Sequence, residues 1–324
     1  MPMMVAPLNA SNADELRAWH DCHHASHMFG REIGAPWMLE EMRAQLLGDS
    51  PGEKTLGYSG TVDGVVVGAA WVVLRVKDNL HLAWTELHTR PDHRNRGHGS
   101  VMLEHLTEVA REHGRRTIRV GANFPCDGPA DGAGRPSVEF LLHWGFTLGI
   151  GDVMRVMDFP ADGAVLQRLV QEAEPHHQDY VMRQFVGPVP DDIIDSFGEL
   201  VCSLITEAPM GDLELEPEVL DAERTRADEN VFEESGRTKY PTVAVAKDGT
   251  VAAYSELVIP KHDPGRVHQC GTLARRDHRG HRLGLATKAR NLLWLQGERA
   301  DGLPAGRTAR GVPEEARLGV ARQV

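Results

Sequence analysis

The sequence predicts an α/β (α+β) protein of two similar domains, each a mixed, mostly antiparallel sheet flanked by helices. Three observations lead there. First, "RPDHRNRGHGS" (Arg90–Ser100) and "RRDHRGHRLGL" (Arg275–Leu285) share Arg-x-Asp-His-Arg and then a stretch rich in Arg, His and Gly. Second, the offset is constant: His93 recurs as His278 and Arg94 as Arg279, with no slip between them. So long a period marks two copies of one domain, because solenoid repeats are shorter. Third, each copy follows a hairpin pattern and leads into an amphipathic helical pattern.

In chain order, the first copy opens with a polar segment, Asn12–Leu47, expected to be helical. "KTLGYSGTVDGVVVGAAWVVLRV" reads as two strands around a turn at Asp63-Gly64. The short strand "HLAWTELHT" and the Arg/Gly loop follow. Met102, Leu103, Leu106, Val109 and Ala110 then recur at spacings of three and four, one face of a helix. "RRTIRVGANFP" reads as a strand, "PSVEFLLHWGF" as a helix and "TLGIGDVMRVMDF" as closing strands. Pro160–His177 is expected to be a linker.

The second copy repeats the scheme. Pro190–Glu234 is the helical segment, Asp248-Gly249 the hairpin turn, "VHQCGTLA" the short strand, and Leu285, Ala289, Leu292 and Leu293 the helix face. After Gln296 the pattern stops. Gly, Ala, Arg and Pro supply most of the stretch from Gly297 to Val324, with no aromatic residue, no Ile and no strand pattern. Such a segment is a poor candidate to finish a sheet. The expected organisation is therefore a domain over 1–159, a linker over 160–177, and a second domain over 178–324 that is incomplete after about 296. The tail composition suggests an out-of-frame reading of a GC-rich gene.

Composition narrows the function classes. A hydrophobic fraction of 41% and a charged fraction of 25% are those of a globular protein. A net charge of −12 argues against a broad footprint for nucleic acid or an anionic membrane. Cys22, Cys126, Cys202 and Cys270 are far apart and form no CxxC pair, which suggests reduced thiols in the cytoplasm. The N-terminal stretch lacks the basic start and apolar core of a signal peptide. No apolar run approaches the roughly 20 residues of a membrane span.

Arg94-Asn95-Arg96-Gly97-His98-Gly99 carries the chemistry. Glycine allows positive φ and close approach of backbone, so successive amide N–H groups can converge on an anion. The following helix N-terminus adds about half a positive charge, and arginines supplement it. The pattern lacks the Gly-Lys-Ser/Thr of a Walker A loop and the leading Gly of a dinucleotide fingerprint.

With hairpin, strand, loop and helix in this order twice, the chain resembles a tandem member of the GNAT superfamily, the Gcn5-related N-acetyltransferases. The likeness covers nearly all of residues 1–160 and about 178–296. Its motif A, Arg/Gln-x-x-Gly-x-Gly/Ala, stands here as "HTRPDHRNRGHGS" and "LARRDHRGHRLGL". The resemblance implies acetyl-CoA as acyl donor and no metal. It implies that Leu87, His88 and Thr89 line the pantetheine arm, and that Arg94, Asn95, Arg96, Gly97, His98, Gly99 and Ser100 hold the pyrophosphate. In the second copy Leu273, Ala274 and Arg275, then Arg279, Gly280, His281, Arg282, Leu283 and Gly284, take those places. Arg282 departs from the pattern, standing where the first Gly belongs.

The implied reaction needs a base for the amine, donors for the oxyanion and an acid for the thiolate. Glu86 is the first candidate base and His88, on the same strand face, the second. The resemblance implies a Tyr acid four residues before the Gly of Gly145-Phe146, but Leu141 stands there, with His143 or a water as substitute. The expected function is acetyl transfer to the primary amine of a small molecule, with no nucleic-acid or membrane partner. The alternatives are a non-catalytic CoA-binding or structural protein, and transfer of a longer acyl group. The acceptor and the oligomeric state are left open. His20, His23, His24 and His27 of "WHDCHHASH" recur at helical spacing and read as a solvated helix face near substrate rather than as metal ligands.

Overall fold

The computed structural model describes residues 2–31, 34–207, 211, 213–219, 222–300 and 315–323. In chain order these form β1 (Met4–Pro7), α1 (Ala13–Met28), α2 (Leu39–Leu47), β2 (Glu53–Val62), β3 (Val65–Arg75), β4 (Leu82–Thr89), α3 (His98–Glu112), β5 (Thr117–Pro125), α4 (Pro136–His143) and β6 (Thr147–Met154). There follow α5 (Gly163–Ala173), β7 (Val181–Gln184), α6 (Ile194–Glu207), α7 (Ala222–Glu234), β8 (Arg237–Val245), β9 (Val251–Pro260), β10 (His268–Ala274), α8 (Leu283–Ala300) and β11 (Glu315–Gln323). They divide into two compact units. One is Met1–Val156 with Pro209–Glu216 and Gly311–Val324; the other is Met157–Ala208 with Pro217–Arg310. Among the described residues, no helix is long and apolar enough to cross a membrane.

In the first unit the sheet order is β1-β2-β3-β4-β5-β11-β6. The hairpin forms as expected: Asp63 and Gly64 both have positive φ, 51 and 79, the left-handed pair that a tight two-residue turn requires. β3 is apolar from Val65 to Leu74 because both of its faces are covered. Ala70, Val72 and Leu74 join the core under α3, with Met102, Leu103 and Leu106. Ala69 and Trp71, on alternate positions, pack with Leu16, Trp19 and Cys22 of α1. Asn12 caps α1 by accepting from the N–H groups of Asp14 and Glu15. Trp19 Nε1 donates to the Tyr58 carbonyl at 2.9 Å and anchors the helix to β2.

Two expectations are corrected here. Arg155–Phe159 does not form a second closing strand, since β6 ends at Met154. The missing strand comes from the tail: β11 lies between β5 and β6 and pairs antiparallel with both, Glu315 opposite Pro125 and Met154. Its composition gave no strand signal, but a central strand hydrogen-bonds on both sides, and that context outweighs weak propensity. Residues 301–314, the rest of that tail, lie outside the described residues.

In the second unit the four strands run in the order β10-β9-β8-β7, all antiparallel. Residues 160–177, expected to link the copies, instead contain α5. Its Asp162 cap accepts from the N–H groups of Ala164 and Val165. Leu166 is buried with Leu257, Leu292 and Leu295, so the helix is part of this unit's core. Among the described residues β10 has a ladder on one side, with β9.

Ending the chain after Gln296 removes two full ladders from the first sheet, although the cut lies in the second copy. We expect amide exchange in β5 and β6 to accelerate by about tenfold or more. Hydrogen-exchange mass spectrometry checks this, and unchanged protection of Thr117–Pro125 contradicts the central position of β11.

Candidate active site

The site begins where two parallel strands part. β4 and β5 pair from Leu82–Thr117 to Thr85–Val120 and no further. Thr85 Oγ1 donates to the Arg119 carbonyl at 3.1 Å, at the point of the fork. Beyond it, Glu86, Leu87, His88 and Thr89 remain paired with β3 alone. On that side, among the described residues, no second strand covers Leu87 and the residues around it, and the Thr89 carbonyl is taken by Arg94.

β4 runs through a short turn into the predicted loop and α3. Asn95 and Gly97 have φ of 59 and 82, so left-handed residues alternate with ordinary ones, the arrangement of an anion-binding nest. A Cβ on Gly97 would meet nothing within 4 Å, so the glycine is needed for its φ and not for space. The first helical bond of α3 runs from the Val101 N–H to the Gly97 carbonyl at 3.1 Å. The N–H groups of His98, Gly99 and Ser100 thus have no acceptor within the helix.

The side chains around the loop have distinct partners. The Arg94 guanidinium is a clamp. It donates to the Thr89 carbonyl and to the carbonyl and hydroxyl of Ser26, at 3.1–3.3 Å, and lies over the Phe29 ring. It fastens the end of β4 to α1. The His98 ring is buried, and its pKa is lowered by burial and then by His93 and Arg96. Arg96 is exposed and donates to the Asp92 carbonyl at 3.0 Å.

Glu86 and His88 come together on the α1 face, with His88 Nε2 3.5 Å from Glu86 Oε2. His88 stacks on Trp71 at 5.5 Å between ring centroids and meets the edge of His23 at 4.5 Å. His23 was grouped with an exposed helix face, yet it is fully buried. Its spacing within "WHDCHHASH" put it on the inner stripe with Trp19 and Cys22; the polar name hid that. Burial drives its pKa far down, helped by His88, His27, His20 and His24. Burial pushes the Cys22 thiol up to about 12, so it is no nucleophile. His20 Nε2 lies 2.9 Å from the Trp37 carbonyl. Among the described residues no group of three or more His, Cys, Asp or Glu could hold a metal ion.

The second copy repeats the backbone with other side-chain partners. Gly280 and Arg282 have φ of 89 and 52, the positions of Asn95 and Gly97. Arg282 thus carries a side chain where the left-handed region costs about 1–2 kcal/mol, and it pairs with Glu172 of α5. Arg276 and Arg279 both donate to Glu207 at 2.8 Å. Arg275 donates to Glu199 and Ser196, and His281 Nδ1 lies 3.1 Å from the His176 carbonyl. Leu283 is buried beneath the loop, while Leu273 packs on the core beside α6. The cationic charge of this loop is largely matched by carboxylates within its own unit.

Leu141 is buried in the first unit's core, and His143 is exposed at the end of α4. No phenol stands in the implied acid position.

Comparison with known proteins agrees with this geometry. Residues 16–127 match the acetyltransferase (GNAT) family. The chain superposes on a tandem GNAT protein from the clavulanic acid biosynthesis pathway with a TM-score of 0.74, at 21% identity, over 99% of this chain and 98% of that one. A GCN5-related N-acetyltransferase from Sphaerobacter thermophilus aligns at 12% identity and TM-score 0.57, over 99% and 95% of the two chains. No curated protein is matched by sequence. By sequence the GNAT acetyltransferase family is matched within the first domain, and the chain as a whole has the fold of a tandem GNAT protein.

His23 makes the first domain acid-sensitive. Its folded pKa lies below the unfolded value near 6.5, so the unfolded chain binds more protons below that pH. Stability is full above about 6.5 and falls with decreasing pH, by up to about 1.4 kcal/mol per unit. Denaturant titrations between pH 7 and 5 measure the slope, which His23→Leu should reduce by one proton.

Proposed function

We propose that the first domain transfers an acetyl group from acetyl-CoA to the primary amine of a small molecule in the cytoplasm. The observation that carries this is the fork between β4 and β5 opening directly into the nest at Asn95–Ser100, with Glu86 and His88 beside it. The stretch of β4 around Leu87, paired with β3 alone, suits the amide groups of a pantetheine arm. The loop N–H groups and the start of α3 suit a pyrophosphate. Acetyl-CoA supplies the activated acetyl group. Glu86, with His88 Nε2 3.5 Å from its carboxylate, takes the proton of the attacking amine as the nitrogen bonds to the acetyl carbon; the carbon–sulfur bond breaks and coenzyme A leaves as a thiolate that takes a proton from water.

The second domain is read as non-catalytic. Its loop arginines are neutralised by Glu172, Glu199 and Glu207, and among the described residues β10 pairs with β9 alone, so it has no second strand from which to part. Burial of Leu141 in the core favours a second reading, in which the first domain binds coenzyme A without turnover.

Steady-state release of free CoA with a panel of small amines separates the two. Turnover is expected, with Glu86→Gln lowering kcat by about a hundredfold while KM for acetyl-CoA holds. Calorimetry should give one acetyl-CoA per chain, lost in Gly97→Val and kept in Gly280→Val. Binding without release of CoA for any amine supports the second reading.

A further inference from the structure

The two faces of β5 differ. Ile118, Val120, Ala122 and Phe124 lie in the core with α3 and α4. The residues between them, Arg119, Gly121 and Asn123, are half-buried on the opposite face. That face continues the one that carries Trp84 and Glu86 on β4, because Trp84 stands opposite Arg119 in the parallel ladder. The cluster beneath α1 and α2 covers β3 on this side through Ala69 and Trp71 and, among the described residues, takes none from β5. Two groups of opposite charge therefore flank the fork on one face. Glu86 lies just past the last pair, Thr85 with Val120, and Arg119 just before it. In a sheet such positions are about 6.6 Å apart along the strands and about 4.8 Å across them. The Arg119 guanidinium is held over the Trp84 ring, 4.6 Å from its centroid, and Arg75 lies 5.6 Å from the same centroid. Arg75 is matched by Glu53 at 3.3 Å. Farther along β5, Arg31 Nη2 donates to the Asn123 carbonyl at 2.8 Å.

We propose that the acceptor is an amino acid: its amine is taken at Glu86 and its carboxylate by the Arg119 guanidinium across the fork, with the Trp84 ring beneath the carbons between them. The proposal rests on the reading of the first domain as catalytic, with Glu86 as its base. An amine that reaches Glu86 enters on this face of the sheet, and the cation that flanks the fork there is Arg119. A planar guanidinium donates two parallel N–H bonds to a carboxylate, which fixes the orientation of the bound molecule as well as holding it. The charge suits a monoanion. Arg75 is already matched by Glu53, so a phosphate dianion would be only half neutralised at Arg119. A diamine would set its second ammonium against the guanidinium, and a plain alkylamine would set apolar atoms against it. Arg119 is thus a specificity-determining residue, and the proton of the amine still goes to Glu86.

The test sets glycine, β-alanine and the common L-amino acids each beside its own carboxamide, at equal concentration of free amine, with the full chain. For at least one pair kcat/KM should favour the acid by about tenfold or more, since a hydrogen bond to a charged group is at stake. Arg119→Gln should abolish that preference, chiefly through KM for the acid, and Arg119→Lys, which keeps the charge, should retain part of it. Saturation-transfer nuclear magnetic resonance reads the same pairs for binding to the chain with coenzyme A added, and needs no turnover. Acids that bind no better than their carboxamides overturn the proposal. So does an acid preference that survives in Arg119→Gln, because loss of Trp84 packing alone would weaken acid and carboxamide together. If Arg119→Gln does not fold, Arg119→Lys decides: it must bind the acids better than the carboxamides but by less than the native chain, and an unchanged preference overturns the proposal. A native chain that binds acids selectively through Arg119 yet releases no CoA refutes the proposed transfer and upholds the carboxylate site.

Discussion

The structure of the first domain depends on a single constraint: two parallel strands that pair over a short stretch and then separate. A buried strand edge must find partners for its N–H and C=O groups, and parallel pairing ordinarily supplies them. Here pairing stops at Thr85 and Val120, and Glu86 to Thr89 of β4 are left with one ladder. That arrangement persists because the strand is held elsewhere. β3 pairs it along its length. α3 packs on one face and α1 on the other. Arg94 fastens its end to Ser26. Removing any of these would let the fork close or twist, and the nest that follows would lose its direction.

The two copies show which part of the loop is set by the chain path and which by side chains. The Arg90 N–H donates to the Val67 carbonyl, and the Arg275 N–H to the Ala252 carbonyl, each at 2.9 Å and at matching positions of the repeat. The guanidines of Arg94 and Arg279 likewise reach back to the Thr89 and Ala274 carbonyls. Even the left-handed residues recur, with Arg282 forced into the conformation that Gly97 adopts freely. The backbone is thus fixed by the hairpin and strand that precede it. What differs is electrostatic. In the first copy the Arg94 and Arg96 guanidines donate to carbonyl and hydroxyl oxygens, and in the second Arg276, Arg279 and Arg282 face carboxylates. A pyrophosphate arriving at the second loop would have to displace those pairs.

Legibility in the sequence followed the range of the interactions. Asp63-Gly64, Asp248-Gly249 and the Arg/Gly loops are local devices, and each formed where its residues predicted. α5 was partly legible, since Leu166, Leu169 and Val170 have helical spacing, but its burial depends on Leu257 and Leu295 far along the chain. β11 was not legible, because its place comes from ladders to β5 and β6, strands from the first half of the chain. His23 was misjudged because residue type says polar, while the partners that bury it are known only in three dimensions. They lie across the contact between α1 and β4.

The alternation of β4 explains how one strand can serve two chemistries. Leu87 and Thr89 face α3, with the Thr89 hydroxyl 3.8 Å from where a Cβ on Gly99 would lie, so that face supports the loop. Glu86 and His88 face α1, where the His88 ring packs against Trp71 and His23. The backbone between them belongs to neither face and presents the open edge. Donor binding and proton handling are therefore carried on opposite sides of the same short run of strand. A change at Glu86 or His88 alters the second without disturbing the first, and a change at Gly97 or Gly99 does the reverse. The missing phenol at Leu141 fits this division, because α4 lies on the loop side, packed against Gly99 through Phe140. The candidate groups for proton transfer, Glu86 and His88, both lie on the α1 side.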